Sequence, residues 1–301
     1  PPTVPKMIAK LENAMGDDYK SGSWTNKNIF VALLSSDMSG IARYEWKEGE
    51  NGEWQTTHLT TKDGMGTITF GVDRNETIYF RAIDTAGNIS VTSSFIMRKD
   101  KVAPVLSGIE NSSNGNWVTS ISLSWDIIEE GSGIDKVEFS YDGSNFTKLG
   151  ESEWYGLTRN NERDDILYIR VTDKAGNNSN IESTNMKIDK TAPTLSNIQV
   201  SEPATGTYKA GETITIVATY SENIYGDENL DVINSSTAPV LRIRFGDGKE
   251  KIATFNSAKE NMITYTYTIE SGDNGKLEVS SYVGDVYDKA GNSLEVENKK
   301  I

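Results

Sequence analysis

One pentapeptide pattern occurs three times in this chain: Asp84-Thr85-Ala86-Gly87-Asn88, Asp173-Lys174-Ala175-Gly176-Asn177 and Asp288-Lys289-Ala290-Gly291-Asn292. The first two copies lie 89 residues apart and the last two 115. A second marker follows the first two copies at the same distance, Lys99-Asp100-Lys101-Val102-Ala103-Pro104 and Ile188-Asp189-Lys190-Thr191-Ala192-Pro193. Upstream, Gly22-Ser23-Trp24 matches Gly115-Asn116-Trp117, and Ser39-Gly40-Ile41 matches Ser132-Gly133-Ile134. Markers repeated in one order define duplicated structural units, so the chain divides into 1–99, 100–190 and 191–301. The third unit keeps the Ala-Pro opening and the closing pentapeptide but differs between them, which makes it a distinct subtype.

Period-two patterning fills the units. Ile78, Phe80 and Ala82 alternate with Tyr79 and Arg81, as Leu167, Ile169 and Val171 alternate with Tyr168 and Arg170. The same alternation runs through Ile121/Leu123/Trp125 and Ile214/Ile216/Ala218. Such runs read as strands buried on one face. Asn51-Gly52, Asp142-Gly143 and Gly246-Asp247-Gly248 supply hairpin turns that need positive φ. Gly87 and Gly176 are expected in the left-handed region within their turns. Helical periodicity is confined to Lys6–Met15, which reads better as an edge strand with a longer loop. Units near 100 residues built this way predict an all-β chain of three tandem immunoglobulin-like β-sandwiches in an extended array.

The chemistry classes narrow quickly. With no cysteine there is no disulfide, thiolate metal site or cysteine nucleophile. A single histidine, His58, rules out a two-histidine metal site, and no Gly-x-Ser-x-Gly elbow accompanies it. Acidic residues outnumber basic ones 44 to 30, against nucleic-acid binding. No apolar run reaches membrane-spanning length. Glu129-Glu130, Asp164-Asp165 and Asp17-Asp18 are expected to be solvated loops rather than a glycosidase pair. Of the tryptophans, Trp24 and Trp117 occupy equivalent places and Trp46 aligns with Phe139, which predicts core packing; Trp54 and Trp154 are the candidates for stacking on sugar. Catalytic, cofactor-binding and metal residues are each expected to be none. The one cation considered is calcium at the junctions, through Asp84, Asp100, Asp173 or Asp189, because hard cations favour clustered carboxylate and carbonyl oxygens.

The Asp-x-Ala-Gly-Asn turns, the Asp-Lys-x-Ala-Pro junctions and the third unit's Gly206-Thr207-Tyr208-Lys209-Ala210-Gly211-Glu212-Thr213-Ile214 opening resemble tandem bacterial immunoglobulin-like repeats of surface proteins and adhesins. The resemblance covers essentially the whole chain. It implies a non-catalytic stalk or adhesion module, extracellular or cell-wall attached, monomeric and part of a longer chain, with a protein or glycan ligand that the family does not specify. The alternative it leaves open is a set of accessory domains of an extracellular polysaccharide-degrading enzyme. Some members of such families form Lys–Asn or Lys–Asp crosslinks; no such trio is visible in the sequence.

Overall fold

A computed structural model describes residues 1–60, 64–203 and 206–296. Among them there is no α-helix, only a 3-10 turn at Glu151–Glu153 between strands. Among the described residues, six sheets follow one another in three consecutive pairs. The chain therefore folds as tandem β-sandwiches. It gathers into two compact units, residues 1–109 with 125–155 and 167–183, and residues 110–124 with 156–166 and 184–301.

In the first repeat, one sheet orders Lys6–Leu11, Ile29–Leu34, Met65–Phe70 and His58–Thr60. The other orders Trp24–Thr25, Ser93–Lys99, Arg74–Asp84, Ile41–Glu48 and Gln55–Thr56. The chain crosses between sheets at Trp24–Thr25, which runs parallel to Ser93–Lys99, while the other strand pairings described in this repeat are antiparallel. The alternation read from the sequence is the alternation of burial: Ile78, Phe80 and Ala82 are fully enclosed, with Ile29, Val31, Leu33, Tyr44 and Met97 around them. Lys6–Leu11 is the expected edge strand, antiparallel to Ile29–Leu34.

The third repeat pairs Leu195–Glu202, Thr213–Tyr220, Met262–Thr268 and Thr254–Lys259 in one sheet, and Glu250–Ile252, Val240–Arg244, Glu278–Tyr287 and Ser293–Val296 in the other. Its core replaces the phenylalanine stack of the first repeat (Phe80 on Phe95, 8° between planes) with tyrosines Tyr220, Tyr265 and Tyr282, all buried.

The three pentapeptide glycines take φ of 88°, 93° and 82°, as expected for the turn after a long strand. At the Asn51-Gly52 turn the expectation is corrected. The positive φ belongs to Gly49 (66°), and Gly52 is needed because a Cβ there would lie 2.0 Å from the Glu48 carbonyl oxygen. The tryptophan expectation is corrected in part. Trp46 packs edge-on against Phe70 in the first core, but Trp24 and Trp117 are half-buried and lie outside the buried core. Each sits at the end of its repeat, where a cation covers it: Arg98 lies 6.0 Å from the Trp24 ring centre and Lys289 3.8 Å from that of Trp117.

Candidate functional site

The sequence singles out Asp84, Asp100, Asp173 and Asp189. Asp100 and Asp173 come together with Glu129, and Asp189 comes together with Asp288 and Glu222. In each trio the carboxylate oxygens lie within 4.8 Å of one another. Asp84 belongs to no such trio among the described residues. The trios are built alike. One aspartate comes from the junction, one opens the pentapeptide, and a glutamate comes from the loop after the second long strand of the repeat. Glu129 therefore corrects the expectation of a solvated loop. The repeat spacing hides it, because the glutamate loops of the second and third units differ in sequence.

Local chemistry fixes each member. Asp173 Oδ1 accepts the Asn177 N–H (2.8 Å) and its Oδ2 the Asn177 side-chain amide (2.7 Å). Asp288 does the same with Asn292, at 2.9 and 2.8 Å. The same asparagine then reaches across to the junction. Asn177 Nδ2 donates to the carbonyls of Asp100 (3.1 Å) and Val102 (3.3 Å), and Asn292 Nδ2 donates to that of Asp189 (3.0 Å). The Asp100 carboxylate accepts N–H bonds from Val102 and Ser132, at 2.9 and 2.7 Å. It packs so closely on Gly131 that a Cβ there would lie 2.1 Å from Oδ2. The preceding repeat closes the arrangement: Asn26 N–H donates to the Ala175 carbonyl (3.1 Å) and Asp100 N–H to that of Thr25 (3.0 Å). At the second junction Asp189 N–H donates to Val118 O (3.1 Å).

Charge distinguishes the trios. Lys289 Nζ approaches Asp189 at 3.5 Å while lying over the Trp117 ring. It does not neutralise the second trio fully: burial, then the charges of Asp288 and Asp189, push the Glu222 carboxyl above its ordinary range against the pull of Lys289. Either trio offers three hard oxygen donors from three different loops, a donor set of the kind that calcium takes. Elsewhere, Asp17 and Asp18 are exposed, with Asp18 bound to Lys10 (2.7 Å), and Asp164 is exposed. His58 lies on His58–Thr60; its side chain is outside the described residues. The Trp54 ring is covered by Arg81 at 4.0 Å and approached by Lys47 at 5.3 Å, and the Trp154 carbonyl accepts the Trp125 indole N–H at 2.7 Å. No helix among the described residues is long and apolar enough to cross a membrane.

These features define a class, the tandem immunoglobulin-like β-sandwich whose junction backbone is held by side-chain-to-backbone hydrogen bonds from the pentapeptide asparagine. Residues 159–190, which span the second pentapeptide and the second junction aspartate, match the bacterial Ig-like domain family. No curated protein matches the chain. Among solved structures, it is similar to the fibronectin(III)-like modules of Clostridium thermocellum CbhA (12 % identity, 60 % of this chain and 94 % of that one, TM-score 0.32). It is also similar to the chicken CNTN1 FN1-FN3 domains (12 %, 99 % and 99 %, 0.27) and to the D00-D0 domain of Intimin (11 %, 59 % and 98 %, 0.28).

Proposed function

We propose that this chain is a non-catalytic spacer segment of an extracellular or cell-surface bacterial protein, three sandwiches in series whose junctions are held stiff. The observation that carries the reading is the double use of the pentapeptide asparagine. It closes its own turn and also binds the junction backbone in the second and third repeats alike. Turn chemistry alone does not require that second bond. A module that presents something at a distance does, because it needs resistance to bending at the joints. The bacterial Ig-like match supports the bacterial surface setting.

Small-angle scattering on the whole segment tests this. Three sandwiches in series give a radius of gyration of roughly 30 Å or more, against about 19 Å for a single globule of this length. A value near the lower figure would remove the spacer reading. Repeating the measurement in EDTA and then in calcium reads directly whether the carboxylate trios add a cation to the hydrogen-bonded clamps.

A further inference from the structure

One turn sets the third repeat apart. The turn that leads into the long strand before the pentapeptide is three residues in the first repeat, 71–73, and three in the second, 160–162. In the third it is nine, residues 269–277 between Met262–Thr268 and Glu278–Tyr287. The enlarged turn is held in place. Glu270 N–H donates to Asp273 Oδ2 (2.7 Å), and Gly246 N–H donates to the Asn274 carbonyl (2.7 Å). Gly246 permits that approach, because a Cβ there would lie 2.9 Å from the same carbonyl oxygen.

This turn forms one lip of a cavity of about 610 Å³, a volume within the range of small-molecule sites. The stretches peculiar to the third repeat meet around it: Thr207 and Tyr208 from its opening motif, Phe245 ahead of Gly246-Asp247-Gly248, and Asp273 and Asn274 from the turn. The floor is apolar and buried, with Ile216 and Ile243 beside Phe245. The rim is polar, and the exposed side-chain amides of Gln199 and Asn274 stand on it. Asp273 is the anchor. Its side chain is 3 % exposed, and its Oδ2 accepts the Tyr267 O–H (2.8 Å) as well as the Glu270 N–H. Its Oδ1 accepts no hydrogen bond from a described residue; Lys251 stands 3.8 Å away, too far for one, and is bonded to Glu270.

The lining selects its ligand by chemistry. An anion would meet the Asp273 carboxylate while the cations nearby are committed: Lys251 to Glu270, Arg244 to Glu278, and Lys276, 86 % exposed, beside Glu278. Lys251 disfavours a cation in turn. A wholly apolar ligand would cover the carboxylate and the two amides without giving them partners, which costs more than the contacts return. What fits is an uncharged molecule with hydroxyl donors around its edge and C–H groups on its faces. A pyranose ring has that form. We propose that this cavity binds a neutral oligosaccharide, with Asp273, Asn274 and Gln199 bonding its hydroxyls and Tyr208 lying against a ring face. Sugar recognition then falls in the repeat that has no tryptophan, and not at Trp54, whose ring Arg81 already covers at 4.0 Å. The spacer reading does not depend on this site.

A glycan array probed with the 1–301 chain identifies the sugar, and calorimetry with the matching free oligosaccharide measures its affinity. The expected result is binding to neutral glycans and not to trigalacturonate. Tyr208→Ala and Asn274→Ala should each weaken binding roughly tenfold, the scale of one lost hydrogen bond or ring contact, and Trp54→Ala should leave it unchanged. The thermal transition of the third repeat reports whether each variant is folded. Asn274 is exposed, so Asn274→Ala decides the matter if Tyr208→Ala unfolds the repeat. An array on which no neutral glycan is bound would overturn the proposal, as would binding that survives the Asn274 substitution or that favours trigalacturonate. Binding of n-octylammonium with no sugar bound would overturn it too, and would assign the cavity to a cationic amphiphile.

Discussion

Glu222 is the carboxylate that the third repeat holds least comfortably. Burial, then Asp288 and Asp189, raise its pKa in the folded state above the ordinary value of 4.5. The folded chain therefore binds more protons than the unfolded chain between those two values, and this group lowers stability as pH rises through that window. Below the ordinary value the penalty is absent. Glu222→Gln, melted in the presence of a chelator, is expected to raise the transition of the third repeat at pH 7 and to lose that advantage below about pH 4.5. The opposite sign holds for Glu45 and Glu138. Burial pushes each up, but Arg43 with Arg81, and Lys136 with Arg170, outweigh it and hold both carboxyls below their ordinary range. Their contribution is present above the ordinary value and fades as pH falls through the folded one. Gly176 makes a conformational demand of a different kind: at φ 93° a β-branched residue is strained whatever the space around it. Gly176→Val is expected to cost the second repeat about 1–3 kcal/mol, read from its thermal transition.

At the scale of elements, the third core is organised by one directed chain of hydroxyls. Tyr265 O–H donates to the Pro239 carbonyl at 2.7 Å, which uses its only proton. The 3.1 Å contact between Tyr265 and Tyr282 must then be donated by Tyr282, and the 2.8 Å contact between Tyr282 and Tyr220 by Tyr220. Burial pushes the pKa of all three up, so the protons stay in place. The direction predicts an order of mutational effects. Tyr220→Phe removes one donor and leaves the rest of the chain intact, which costs about 1 kcal/mol. Tyr265→Phe leaves the buried Pro239 carbonyl without its donor and the Tyr282 proton without its acceptor, and costs more, about 2–3 kcal/mol. Denaturant titration of the two variants checks the order, and equal losses would show that the chain is not directed this way. Of the strands carrying these tyrosines, the one that ends at Tyr220 is legible in the sequence, because the alternation of Ile214, Ile216 and Ala218 is a local signal. The trios were only half legible. Asp100, Asp173 and Asp189 sit in repeated motifs, whereas Glu129 and Glu222 sit in loops of unlike sequence that converge only when the strands pair. Trp24 and Trp117 misled for a related reason. Equivalence between repeats shows a shared place, and that place is the end of each repeat rather than its interior.

At the scale of the molecule, the spacer reading makes the junctions its critical parts, and the repeats supply their own control. Asn88 and Asn177 close the same turn with the same two bonds to Asp84 and Asp173. Asn177 alone adds bonds to the junction, at the carbonyls of Asp100 and Val102, on either side of Lys101. A protease must pull several residues of backbone out of such a segment before it can cleave, so the rate reports how firmly the segment is held. Asn88→Ala and Asn177→Ala should weaken their own turns similarly. Only Asn177→Ala should speed tryptic cleavage after Lys101, by roughly tenfold if the lost junction contacts together contributed about 1.4 kcal/mol. Mass spectrometry of the timed digest identifies the cut. If both variants are cleaved there at the same rate, the asparagine serves its turn alone. The stiffness of the joint would then have to come from the backbone contacts of Thr25 and Ala175 instead.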